Sequence, residues 1–220
     1  MYTTYKKEII KTALEIKASG LVMLSGGNVS ARMSRGEILV TPSGSDYATM
    51  QPDDIVMVDI NGKVLEGSLK PSVDLEALLY IYRNKPEVNG IIHTHQPYAT
   101  AVGLVADELP VCVTTLANVT LGAVRVARYG SAACLDMGVA AVEYLGSRRA
   151  VILKHHGVLT VGGNLKEALY AAVYMEEAAK AYLLARGINS NIPVLDHDQT
   201  LEAIEAFKRC GQAVKYDETA

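Results

Sequence analysis

Nothing in this sequence is suited to a membrane. Its first twenty residues, MYTTYKKEIIKTALEIKASG, intersperse charge with apolar residues at helical spacing. They hold no continuous hydrophobic stretch, which argues against a secretory leader and against a spanning helix. An excess of one charge is also missing. Over 220 residues, 21 basic side chains face 24 acidic ones for a net charge of −3. No run of like charges appears, so nothing here has the footprint of a nucleic-acid binder or a polybasic anchor. Cys112, Cys134 and Cys210 are scattered, odd in number and form no C-x-x-C pair, which excludes a disulfide framework and a cysteine zinc site. A reducing cytoplasm is the compartment expected. Neither G-x-G-x-x-G nor G-x-x-x-x-G-K-[ST] occurs, so the usual nucleotide cradles are absent. There is no internal repeat and no low-complexity linker. Residues 1–220, half of them hydrophobic, are enough for one domain with a substantial core.

What is present reads as helices mixed with short strands. Residues 4–19 carry Ile9, Ile10, Ala13, Leu14 and Ile16 on one helical face, with Gly20 as a C-terminal stop. Ser25–Met33 reads as a glycine-bearing turn feeding a strand, and EILVTPSGSDY as a short strand ending in a Pro-Ser-Gly turn. The strongest hairpin pattern is Ile55–Ile60, Asn61-Gly62 and Lys63–Leu65. A helix over 74–84 follows, then a buried strand over 88–95, a helix over 96–105, a strand over 111–115 and a helix over 133–146. Ala150–Leu153 is a strand running into His155-His156-Gly157, with Val158–Val161 continuing beyond it. Helices over 164–186 and 198–210 complete the chain. This order predicts a mixed α/β fold with a central mixed or antiparallel sheet layered between helices, and without the regular alternation of a dinucleotide fold.

Of only five histidines, four cluster at the ends of two predicted strands: His93, His95, His155 and His156. Residues two apart in a strand project from one face, so His93 and His95 can aim at a single point. A third imidazole from His155 or His156, which face opposite ways if extended, would complete a three-histidine site. The glycine that follows permits close approach. Three imidazoles with an open position are what catalytic zinc uses. His197, in Leu195-Asp-His-Asp198, reads as a surface residue.

Five short motifs stand in order along the chain: Gly27-Asn28-Val29-Ser30, Thr41-Pro42-Ser43-Gly44, Lys70-Pro71-Ser72, His93-Thr94-His95 and Lys154-His155-His156-Gly157. Together they resemble the class II aldolase and adducin family over nearly the whole chain. The resemblance implies that His93, His95 and His156 bind one divalent ion, Zn²⁺ or another divalent metal. It implies that Asn28, Ser43, Gly44 and Ser72 hold a substrate phosphate, chemically a neutral anion nest of amide, hydroxyl and backbone donors. It places the acid/base on Asp74, whose position also suits an N-cap of the following helix. Members acting on fuculose phosphate carry glutamate there, and pentose-phosphate epimerases carry aspartate. The implied reaction is cleavage of a ketose 1-phosphate, of the L-fuculose 1-phosphate kind, to dihydroxyacetone phosphate and an aldehyde through a zinc-stabilised enediolate. No Schiff-base lysine is needed, and Lys154 is discounted because it lies on the opposite strand face from His155. The family also implies a homotetramer with active sites at subunit boundaries, a small-molecule sugar phosphate as partner, and neither nucleic acid nor membrane.

The chain departs from the aldolase pattern at Val73, where a second phosphate-binding serine is usual. It departs again at Thr114 and Cys210, where tyrosines are usual, with Tyr216 nearby in the tail. The epimerase pattern places an aspartate at Asn118, which exchanges no proton. The alternatives are therefore a pentose-phosphate 4-epimerase, a sugar-acid phosphate decarboxylase, and a non-catalytic adducin-like interaction module.

Overall fold

The computed structural model describes residues 2–210. Its elements run α1 (Thr3–Ala18), β1 (Gly27–Arg32), β2 (Ile38–Val40), β3 (Val56–Val58), β4 (Val64–Glu66), α2 (Leu75–Asn84), β5 (Gly90–Thr94), α3 (Pro97–Val105), β6 (Glu108–Leu109), α4 (Thr114–Thr120), β7 (Val124–Ala127), α5 (Leu135–Leu145), β8 (Ala150–Leu153), β9 (Gly157–Gly162), α6 (Leu165–Ile188) and α7 (His197–Cys210), with a 3₁₀ turn at Pro52–Asp54. The strands form one sheet in the order β4-β3-β2-β1-β5-β9-β8-β7-β6. Among these strands only the β7–β8 pair is parallel; the other neighbours are antiparallel. The expected mixed sheet between helices is what the chain forms.

Strand periodicity of two sorts the core onto the two faces. Ile38, Val40, Ile91, Val151, Leu153, Leu159 and Val161 pack under α2 and α5. Their sequence neighbours Leu39 and Ile92 turn the other way, toward α1 and the first half of α6. Ile152 and Val158 join α3, α4 and the rest of α6. Every residue of β5, β8 and β9 is buried. This double-sided burial explains why Gly-Ile-Ile-His and Ala-Val-Ile-Leu read as continuous apolar runs rather than alternating ones.

Local chemistry accounts for most boundaries. The β3–β4 hairpin turns at Asn61-Gly62, where Gly62 has φ +88° and Asp59 Oδ1 accepts from the Asn61 and Lys63 amides at 2.9 and 3.0 Å. Gly20, at φ +71°, closes α1 by donating to Lys17 O. The region expected as a strand over 111–115 is not one. Cys112 N donates to Pro110 O at 2.9 Å, and the chain turns there into α4, which packs on α6 and α7. The β-branched run Val-Cys-Val-Thr-Thr thus loses its strand preference to a helical docking site. The sheet edge is taken instead by the two residues of β6, beside β7, a strand the local pattern did not mark. The stretch 150–161 is not one continuing strand either: Lys154–His156 turn, with His155 at φ +59°, and β9 returns antiparallel to β8.

Gly138 sits where α5 meets α2: a Cβ there would come within 2.7 Å of Ala77 O and 2.8 Å of Ala77 Cα. The variant Gly138→Val is expected to lose about 1–3 kcal/mol of unfolding free energy in urea denaturation, because the two helices must separate. Among the described residues no helix is long and apolar enough to cross a membrane.

Candidate functional site

The site is assembled at one end of the central strands. In β5 the residues alternate, so His93 shares its face with Ile91, while Ile92 and Thr94 point to α6. Register places His93 opposite Asn28 of β1 and opposite Leu159 of β9. The β8–β9 turn delivers His156, and His95 lies one residue past the end of β5. One ring nitrogen from each of His93, His95 and His156 lies within 4.8 Å of the other two. His155, left in the same turn, is exposed, its ring 6.5 Å from Tyr129. His197 is exposed on α7.

These three residues fit a divalent ion by their own chemistry. His93 Nδ1–H donates to Val158 O at 2.8 Å, which fixes the tautomer and leaves Nε2 as a bare lone pair. That Nε2 stands 3.1 Å from His95 Nε2. Two nitrogens held by one zinc at a tetrahedral angle are about 3.3 Å apart, so the spacing is close to that of shared ligands. His156 Nδ1 is buried and has no hydrogen-bond partner among the described residues. Burial pushes the pKa of His93 well below the usual histidine range, with the neighbouring imidazoles adding to the effect and the Asp74 carboxylate opposing it. Burial likewise lowers His95 and His156. The lowered pKa favours the neutral form, the one in which imidazole binds metal.

Asp74 precedes α2 yet makes no capping bond to it. Its carboxylate instead accepts from Asn28 Nδ2 at 2.8 Å, and the same oxygen lies 3.9 Å from His93 Nε2. The N-cap role that its position allows is thus not taken up in this geometry. Around the centre lies a cleft of about 180 Å³ lined by Ser25, Gly26, Gly27, Pro42, Ser43, Gly44, Ser72, Val73, Asp74, His95, Ala132, Ala133 and His156. Two of the quoted motifs are brought together by a bridge between Pro42 and Pro71. Ser43 N donates to Lys70 O, and Ser72 N donates to Thr41 O. Ser43 and Gly44 are exposed at the mouth, and Ser72 is buried, its oxygen accepting from Asp74 N. Among the described residues no lysine or arginine lines the cleft, so away from the histidines and Asp74 the donors its wall offers an anion are hydroxyls and backbone N–H groups.

The sequence residues the structure does not bring to the cleft wall are equally clear. Asn28 is 1% exposed and lies behind the wall, turned to Asp74. Thr114 and Asn118 ride on α4, outside the lining. Lys154 points to Asp107 at 3.8 Å. Tyr216 and the Cys210 side chain lie outside the described residues. Sequence reasoning passed over Ser25 and Gly26, which a glycine-rich turn directly before Asn28 could have flagged. It also passed over Ala132 and Ala133, for which no local pattern exists. Gly27 is required by geometry, since a Cβ there would come within 2.6 Å of His93 O, and its φ is +140°.

Comparison with known proteins follows the same lines. The family described as Class II Aldolase and Adducin N-terminal domain matches residues 7–183. The chain is 32% identical over 208 residues to the 5-deoxy-D-ribulose 1-phosphate aldolase of Bacillus thuringiensis serovar kurstaki, covering 94% of this chain and 97% of that protein. Among solved structures it is similar to an L-fuculose 1-phosphate aldolase, with 33% identity, a TM-score of 0.87 and coverage of 92% and 95% of the two chains. The L-fuculose-1-phosphate aldolase from Thermus thermophilus is 26% identical, with a TM-score of 0.74 and coverage of 85% and 96%.

Gly157 tests the centre without replacing any of its histidines. A Cβ at this position would collide with Thr94 O and come within 2.9 Å of the His95 ring. Gly157→Ala is expected to weaken divalent-metal binding by roughly 10–100-fold, the range for losing support around a metal ligand. Titration of the metal-free protein with Zn²⁺ checks this, with circular dichroism showing the fold retained.

Proposed function

This chain belongs to the class II aldolase and adducin family, and on that premise we propose that it cleaves a ketose 1-phosphate to dihydroxyacetone phosphate and an aldehyde. The observation that carries this reading is the convergence of three imidazoles with one carboxylate, Asp74, beside a cleft whose walls carry hydroxyl and backbone donors and no lysine or arginine. All three named relatives act on 1-phosphorylated ketoses by their descriptions, which supports the substrate class.

His93, His95 and His156 would hold the ion, with Zn²⁺ the one that three imidazoles and an open position suit best. When bound, it supplies Lewis-acid stabilisation of the negative charge that develops on the substrate oxygens. Ser43, Gly44 and Ser72 orient the phosphate through hydroxyl and backbone donors, with Ser25 in the adjoining wall. Val73, which is 64% exposed, brings no hydroxyl to that nest. In cleavage the C3–C4 bond breaks and its electron pair stays with the three-carbon fragment. The hydroxyl on C4 gives up its proton to solvent as it becomes the aldehyde, and the Asp74 carboxylate takes up a proton from solvent and delivers it to C3. One proton leaves and one arrives, so no co-reactant is consumed. The reading includes a cytoplasmic homotetramer. Met23 and Leu24, 80% and 83% exposed immediately ahead of Ser25, are apolar side chains that a partner subunit would cover.

The test is to quantify bound metal and follow dihydroxyacetone phosphate release from L-fuculose 1-phosphate and 5-deoxy-D-ribulose 1-phosphate. His95→Ala is expected to lose metal and turnover together. Asp74→Asn is expected to keep about one ion per chain while kcat falls by roughly 10²–10⁴-fold, the usual contribution of a positioned acid/base group. A protein that binds metal and cleaves neither sugar would sink the proposed substrates, and a protein that binds no metal would sink the mechanism.

A further inference from the structure

We propose that Tyr47 is a positioning residue whose hydroxyl, acting with that of Thr41, sets the distance between two walls of the anion nest; this rests on the reading of Ser43, Gly44 and Ser72 as phosphate donors. The nest exists because the chain leaving β2 peels away from β1. At Val29 the pairing still holds, with Thr41 N donating to Val29 O at 3.1 Å. Thr41 O, however, turns off the ladder and accepts from Ser72 N at 3.2 Å. Pro42 then has no N–H to give, and Ser43 N donates to Lys70 O. The segment carrying Ser43 and Gly44 is thus drawn toward residues 70–72, and the cleft opens between it and Gly26-Gly27 at the start of β1.

Two hydroxyls take over where the ladder stops. The Val29 amide donates to Thr41 Oγ1 at 3.2 Å, the Thr41 hydroxyl hydrogen-bonds that of Tyr47, and the Tyr47 hydroxyl donates to Gly27 O at 2.7 Å. This chain of bonds begins and ends on β1, and Thr41 and Tyr47 bracket the turn on which Ser43 and Gly44 stand exposed. Gly27 is itself fixed on its other side, where a Cβ would come within 2.6 Å of His93 O. The separation of the two walls is therefore set against the strand that carries His93. The Tyr47 ring, 1% exposed, belongs to the core beneath α1, and a phenylalanine would fill that space as well. A buried hydroxyl costs free energy unless it is bonded, so it is the part of Tyr47 that packing does not require. The Lys17–Asp46 bridge on the same turn, at 2.6 Å, is open to solvent and holds the turn more weakly.

The experiment titrates the Co²⁺-loaded protein with dihydroxyacetone phosphate and, separately, with phosphate-free dihydroxyacetone, reading both dissociation constants from the visible absorption of the metal. For Tyr47→Phe the constant for dihydroxyacetone phosphate is expected to rise about tenfold, the size of one lost hydrogen bond to a charged group. The constant for dihydroxyacetone should move less than twofold, and the spectrum before ligand is added should match the wild type. The thermal midpoint should fall by about 2–4 °C. Tyr82→Phe is the control: it also removes a buried hydroxyl, bonded to Ser30 at 3.0 Å on the other face of the sheet, and should leave both constants in place. Thr41→Val, which removes the other hydroxyl of the chain, is read in the same way if Tyr47→Phe folds poorly. A rise in both constants together, or an altered spectrum before ligand is added, would overturn the inference by making the hydroxyl a support of the metal centre. An equal effect of Tyr82→Phe would reduce it to general stability. Unchanged constants in Tyr47→Phe and Thr41→Val, in a protein that prefers the phosphorylated probe, refute the positioning role alone. A wild-type protein that binds both probes equally well has no phosphate nest in this cleft, and the inference fails with that reading.

Discussion

The bond from His93 Nδ1–H to Val158 O, 2.8 Å across the β5–β9 pair, is the contact on which the site depends. It exists only because β5 is flanked on both sides, by β1 and by β9, and so sits at the centre of the sheet. There His93 is buried and desolvated, which keeps its ring neutral, and the carbonyl of a neighbouring strand decides which nitrogen carries the proton. The other nitrogen is left to face His95 and His156. An imidazole at the same position on an edge strand would rotate, hydrate and titrate near its ordinary pKa.

A second layer of contacts fixes His95, which lies beyond the strand and cannot rely on the ladder. Thr94 Oγ1 donates to Gln96 Oε1 at 2.6 Å, and Gln96 Nε2 donates to Ala172 O of α6. Glu176, also on α6, accepts from the Tyr98 and Ala99 amides at 2.9 Å each, so a carboxylate from one helix caps the N-terminus of another. Burial raises the Glu176 carboxyl above its ordinary range, against those two backbone donors. The long helix thereby sets the angle at which the chain leaves β5, and His95 inherits that angle.

Among the described residues no lysine or arginine stands in the cleft walls, yet the named relatives act on sugar phosphates by their descriptions. Hydroxyls and backbone amides are sufficient donors for an anion, and they leave the carboxylate of Asp74 without a cationic partner in the cleft wall. A lysine beside it would form an ion pair and tie up the group proposed to exchange a proton. Lys154, the one lysine in the histidine-bearing turn, is directed to Asp107.

Local pattern alone determined the helices α1, α2 and α6, the β3–β4 hairpin at Asn61-Gly62, and the pairing of His93 with His95 by alternate spacing. These depend on helical or strand period and on turn chemistry, which act over a few residues. Family resemblance then singled out His156, because spacing alone left it level with His155. Only the tertiary structure decided that the chain turns back at Lys154–His156, which puts His156 at the centre and His155 outside. It alone showed that 111–115 feeds a helix while Val124–Ala127 joins the sheet, and that Ala132 and Ala133 wall the cleft. It also decided that Asp74 turns to Asn28, 46 residues away in sequence, instead of capping its own helix. Both options for Asp74 are good hydrogen bonds, so local chemistry cannot choose between them. Sheet order chooses, by bringing β1 beside β5 and placing an amide where the carboxylate can reach it.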